Sequence, residues 1–164
     1  MKLPGRRAGM FLTSAACVGA MGFALYAEYV LRLDPCPLCI FQRVAVIAIG
    51  LLALGAGLHN PRGWGFRLWS ALIVLAALAG AVVSGRQLWL QSLPLDQVPQ
   101  CGPGLNYLLQ TMPFSNVLRT VLAGSGECAV VDWTFLGMAM PFWVAVFFAL
   151  VIGFTLLQQR PMRR

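Results

Sequence analysis

Two cysteines separated by a proline and a leucine, Cys36-Pro37-Leu38-Cys39, stand between two long apolar runs. Thiols at this spacing form and break a small disulfide ring and so exchange two electrons with another dithiol. As a structural staple such a ring gains little, because the loop it closes is very short. One apolar run ends near Val30 and the next begins at Ile40. The pair is therefore expected at a membrane surface, where it can join a water-soluble dithiol to a lipid-soluble electron acceptor. Cys39 falls in the first turn of the second run, where the helix dipole and free backbone N–H groups favour a thiolate. Arg43 follows four residues later, on the same helical face. A cation within an apolar run is costly and marks a functional site by default. Beside Cys39 it would hold the thiolate and stabilise negative charge on a nearby acceptor; snorkelling to the interface is the structural alternative.

The other cysteines differ in setting. Cys17 lies mid-way along the first apolar run and reads as a small buried apolar residue. Cys101 and Cys128 lie in the polar stretch after the third run. With the Cys36/Cys39 pair they make four thiols expected on one oxidising face, which suggests two disulfides, structural or redox-active. Cys101 is followed by Gly102-Pro103-Gly104 and Cys128 is preceded by Gly124-Ser125-Gly126, hinges that suit cysteines which must travel. Haem attachment would need a histidine at position 40, where Ile40 stands. Zinc would want four ligands at matched spacing, and the one histidine, His59, belongs to the opposite side. No metal site is expected.

These residues must be positioned by membrane helices. Of the 164 residues 59% are hydrophobic and 10% charged, against about a quarter charged in a soluble domain. Four runs, 8–30, 40–58, 66–84 and 138–157, approach the roughly 20 residues that cross about 30 Å of hydrocarbon. None alternates with period two, so helices are expected and a barrel is not. The first run follows basic residues as a signal peptide would. It is longer than a usual signal core and no small-x-small cleavage site follows it, so it reads as a retained helix. The expected architecture is one all-α membrane domain over residues 1–164, a four-transmembrane-helix bundle with outer loops 31–39 and 85–137. Gly19, Gly22, Gly50, Gly55, Gly57, Ala76, Ala77 and Gly80 would allow close helix packing. Within the long loop Phe114, Val117, Leu118, Val121 and Leu122 form one apolar face of a short amphipathic helix. It either lies on the membrane surface or caps the bundle.

Charge gives the orientation. Lys2, Arg6 and Arg7 precede the first run, Arg62 and Arg67 lie between the second and third, and Arg160, Arg163 and Arg164 follow the fourth. No acid lies in these segments. Both termini are expected to be cytoplasmic and the cysteine-bearing loops outside. The net charge of +7 is thus a matter of topology and does not suggest a nucleic-acid partner.

Cys-x-x-Cys-Ile-Phe-Gln-Arg at 36–43, Gly-Ser-Gly-Glu-Cys-Ala at 124–129 and Asp-Trp-Thr-Phe-Leu-Gly-Met-Ala-Met-Pro at 132–141 resemble, in this order, the DsbB family of bacterial disulfide oxidases. The resemblance covers nearly the whole chain. It implies a multi-pass inner-membrane enzyme that reoxidises a periplasmic thioredoxin-fold oxidase of the DsbA type and passes electrons to membrane quinone, ubiquinone or menaquinone. It further implies that Cys101 and Cys128 form one disulfide, with Cys101 attacked by the partner, and that Cys128 then attacks Cys36, leaving Cys39 beside the quinone. A strongly oxidising partner cannot be regenerated by an ordinary structural disulfide, so the loop bond is labile or the quinone drives the sequence. The resemblance has departures. Relatives often carry a histidine near the outer end of the third helix, where this chain reads Arg86-Gln87-Leu88-Trp89; Arg86 and Gln87 are the candidate donors to quinone in its place, with Arg43. Gln42 stands where an acid can occur in relatives. Two other classes remain: a conduit running the opposite way, which would place working thiols within the bilayer, and a membrane scaffold with structural disulfides.

Overall fold

The computed structural model describes residues 5–94, 97–98, 107, 110–124, 126–131 and 133–159. Four long helices dominate: α1 (Arg6–Tyr29), α2 (Pro37–His59), α3 (Trp64–Gln91) and, near the C-terminus, α5 (Met140–Gln159). Each is long and apolar enough to cross a membrane. Between α3 and α5 come the short helix α4 (Phe114–Ala123), a 3-10 turn (Gly126–Ala129) and a hairpin of β1 (Thr134–Phe135) and β2 (Met138–Ala139).

The ends of these helices differ from expectation for local reasons. α2 starts at Pro37, whose missing N–H costs nothing at a first helical position. Cys36 is its N-cap, accepting from the Cys39 N–H at 3.4 Å. Cys39 therefore lies in the first turn of α2, as expected, and the loop expected over 31–39 ends at Cys36. α3 continues past residue 84 to Gln91, so Arg86 and Gln87 stand on a helix rather than in the expected loop 85–137. At about 1.5 Å per residue its 28 residues span roughly 42 Å, more than the ~30 Å of hydrocarbon. Its last turns carry Arg86, Gln87 and Gln91, which find partners outside α3. α5 begins at Met140 because Met138 and Ala139 pair with Phe135 and Thr134. The hairpin turn is Leu136-Gly137, both with positive φ, 52° and 77°.

α1 packs along α2, α2 along α3 and α3 along α5, whereas α1 and α5 meet at few points. Ile49 and Ala53 of α2, Ile73 and Ala77 of α3 and Phe148 of α5 are fully enclosed at the centre. Small residues allow this closeness. The Phe148 ring fills the space a side chain at Gly80 would need, and the place of a Cβ at Gly50 lies 3.1 Å from Cys17 Cβ. Gly19 and Gly22, expected in the same role, face open space. A second, smaller cluster closes the end of the bundle near the Cys36/Cys39 pair. Val117 and Val121 of α4 pack with Leu38, Leu90 and Cys128. Of the two readings of the amphipathic helix, Val117 and Val121 follow the cap; the side chains of Phe114, Leu118 and Leu122 lie outside the described residues.

Candidate active site

The Cys36–Cys39 pair sits where α2 begins. Extended backbone at Cys36 (φ −67°, ψ 160°) turns its side chain back over the first helical turn. The two Sγ atoms lie 2.9 Å apart, in hydrogen-bond contact as thiols. Leu38, between them, is fully buried against the cap cluster, which fixes the turn that brings the sulfurs together.

Cys128 reaches this pair from the other side. The 3-10 turn buries it to 1% exposure beside Leu38 and Leu90, and its thiol hydrogen-bonds that of Cys36. That bond, the bond with Cys39 and burial, in that order, hold the Cys36 thiol well above the ordinary range. Cys36 is thus kept as a neutral sulfur between two others. Close approach at Gly124 makes this arrangement possible. Its φ of +87° and the nearby Leu90 side chain leave no room for a Cβ, and the chain turns there from α4 into the segment that carries Cys128. Cys101 lies outside the described residues.

Gln87 of α3 completes the group. Its Nε2 donates to both sulfurs at 3.4 Å, and its Oε1 accepts from Gln42 Nε2 at 2.8 Å and from Cys39 Sγ at 3.7 Å. Both glutamines are buried. Arg86 goes elsewhere. Its Nη2 donates to Ala123 O at 2.8 Å, and its guanidinium carbon lies 4.1 Å from the centre of the Trp89 ring. A cation at the C-terminal end of α4 suits the helix dipole. Arg86 is not among the residues that line the cavity described next.

A cavity of about 380 Å³ opens from Cys39 between the spans, within the roughly 300–1,000 Å³ usual for small-molecule sites. Cys39, Gln42, Arg43 and Gln87 line its polar end; Phe23, Trp133, Trp143 and Phe147 are among its aromatic walls. Arg43 forms an ion pair with Glu28 of α1 and donates to Ala24 O at 3.3 Å. Glu28 is the partner of Arg43 that sequence reasoning missed. The signal was present: it is the one acid within the first apolar run, facing the one cation within the second, and a charge in a span needs a counter-charge. The hairpin aromatics were missed too. Phe23, Trp133, Phe135 and Trp143 follow one another at centroid distances of 5.9, 6.0 and 5.7 Å. Trp143 Nε1 ties the chain to Phe135 O at 3.2 Å.

Residues 6–158 match the family described as Disulfide bond formation protein DsbB. The chain belongs to the DsbB family. A relative from Chromobacterium violaceum, named Disulfide bond formation protein B, is 63% identical over 150 residues, 92% of this chain and 90% of the relative. One of the same name from Hahella chejuensis is 54% identical over 145 residues, covering 88% and 86%. Another from Methylococcus capsulatus is 44% identical over 158 residues, covering 96% of each. DsbB membership places the chain in disulfide bond formation and implies a disulfide oxidoreductase role. The four spanning helices fit a multi-pass membrane protein.

Proposed function

We propose that this chain is a dithiol:quinone oxidoreductase that reoxidises a periplasmic DsbA-type thioredoxin-fold oxidase. One observation carries the reading: three thiols meet in series, Cys128 on Cys36 and Cys36 on Cys39, and the last of them lines an apolar cavity that also holds Arg43. A partner thiolate attacks the Cys101–Cys128 disulfide at Cys101 and releases Cys128 as the thiolate. Cys128 then attacks Cys36; a Cys36–Cys128 bond forms, the Cys36–Cys39 bond breaks and the electron pair leaves on Cys39. The Arg43 guanidinium at the polar end would suit a carbonyl oxygen of a quinone and the aromatic walls its ring, while the Gln87 amide is turned to the sulfurs. Bound quinone supplies a two-electron, two-proton acceptor. Cys39 would stand beside it, Arg43 would orient it and offset negative charge, Gln87 would hold the thiol pair, and the walls would exclude water. Arg6 and Arg7 at the start of α1 and Arg62 and Arg67 around the α2–α3 turn lie at the end of the spans away from the thiols, which supports cytoplasmic termini and periplasmic cysteines in the inner membrane.

The test is turnover by the purified chain. With a reduced DsbA-type partner and a short-chain quinone, thiol loss should track quinone reduction, one dithiol per quinone. Thiol loss that ignores quinone would sink the reading. A reporter fused after Arg164 should read cytoplasmic.

A further inference from the structure

Gln87 and Gln42 form a pair with a direction. A primary amide has an acceptor end and a donor end, and turning it over exchanges them. Gln42 Nε2 donates to Gln87 Oε1 at 2.8 Å, so the acceptor end of Gln87 is engaged by α2 and its NH₂ group faces the sulfurs of Cys36 and Cys39 at 3.4 Å each. Both side chains are at most 5% exposed, so water does not compete for these bonds. When Cys128 bonds to Cys36 and the Cys36–Cys39 bond breaks, Cys39 takes the electron pair. A thiolate sulfur no longer donates to Oε1, and the amide N–H bond is then the one that counts; a hydrogen bond to a charged group is the stronger kind.

We infer that Gln87 is a catalytic residue of the thiol pair, stabilising the charge that leaves on Cys39, and that Gln42 is the positioning residue that keeps its N–H groups toward the sulfurs. The step rests on the oxidase reading; the geometry does not. Among the described residues, the other titratable or charged groups around this position are the Cys36 and Cys128 thiols, Arg43 with its partner Glu28 from α1, and Asp34, which lines the same cavity. An ion pair spreads less field than a lone cation, which leaves the amide as the donor bonded directly to the sulfur.

The experiment uses the reduced full chain in detergent, with neither partner nor quinone. Alkylation of Cys39 by iodoacetamide is followed by mass spectrometry in the unaltered protein, Gln42→Met, Gln87→Met and the double variant. Methionine keeps the length and fills the buried space, and the double variant leaves neither amide without its partner. Each single variant should slow Cys39 alkylation at neutral pH, Gln87→Met by about tenfold. The double variant should match Gln87→Met, because Gln42 works through Gln87. All rates should converge in strongly alkaline buffer, where every variant holds the thiolate. Loosened packing would speed alkylation, the opposite sign. Unchanged or faster rates at neutral pH overturn the inference for Gln87, and additive effects overturn the positioning role of Gln42. Turnover of the unaltered protein, measured alongside, bears on the oxidase reading alone.

Discussion

Glu28, one residue before the end of α1, carries the carboxylate that pairs with Arg43 in the second turn of α2. The pair joins two spans and stands on the wall of the cavity that Cys39 also lines. Its presence changes what removal of Arg43 means. Arg43→Gln takes away a cation and also strands an acid, which costs about 3 kcal/mol where the site is sheltered. Glu28→Gln/Arg43→Gln should recover most of that loss in thermal unfolding. It should not recover the quinone dependence: an apparent quinone KM raised about tenfold, equivalent to roughly 1.4 kcal/mol, is expected in both. Arg43→Lys should keep part of the function, since charge survives and the planar fork does not. A normal KM in the double variant would give Arg43 a structural role only.

Cys36 should be the sluggish thiol of the three. Its value lies above the ordinary 9.0, with Cys128 as the first cause, so the proton stays on sulfur as pH rises past the point where a free cysteine ionises. In the reduced chain Cys36 should remain largely unalkylated at a pH of about 9. Cys128→Ala removes the leading cause and should speed its alkylation about tenfold. Equal rates with and without Cys128 would show that the contact does not set the proton affinity of Cys36.

Arg86 belongs to the mounting of Cys128. Through Ala123 O it holds the end of α4, just ahead of the turn that carries the cysteine. Arg86→Gln should leave the quinone KM within about twofold of normal, since a change of that size corresponds to under ~0.5 kcal/mol. It should slow formation of the Cys36–Cys128 bond, seen as a mixed disulfide with the partner that persists at Cys101. A raised quinone KM would instead return Arg86 to the cavity.

Gly124→Ala should act on the same step by a different cause. An alanine there needs a rare backbone conformation and presses on Leu90, at a cost of roughly 1–3 kcal/mol. Chemical crosslinking of Cys36 to Cys128 with a short bis-thiol reagent should fall, while Cys36 to Cys39 crosslinking is kept. Retention of both would mean that Cys128 does not depend on this turn.

The spans, the Cys36/Cys39 pair and the apolar face of α4 were legible because each is a local pattern: a run of apolar residues, a fixed spacing, a 3.6-residue period; that this face caps the bundle was not. Arg43 was legible as a misplaced charge. Its partner was not, because the pairing of Glu28 depends on how α1 leans on α2, and no local spacing records that. The same holds for Arg86 and Gln87. Adjacent on α3, they point to different neighbours, and a sequence that offers two donors side by side does not say which one meets sulfur. The Leu136-Gly137 hairpin stayed hidden because its strands are two residues each, too short for an alternation to register, and because leucine is an uncommon occupant of a positive-φ position.

The thin contact between the first and last spans bears on how an acceptor arrives. The chain Phe23–Trp133–Phe135–Trp143 runs between α1 and α5 at the thiol end, and the two helices themselves meet at few points. If the space between these two spans is the way in, as the proposed quinone reaction asks, it admits what diffuses in the plane of the membrane. For such a substrate the concentration that matters is its mole fraction among lipid or detergent molecules, not its amount per volume of buffer. Adding empty micelles at constant total quinone would then dilute it at the enzyme, and affinities measured in different detergents become comparable once expressed per amphiphile.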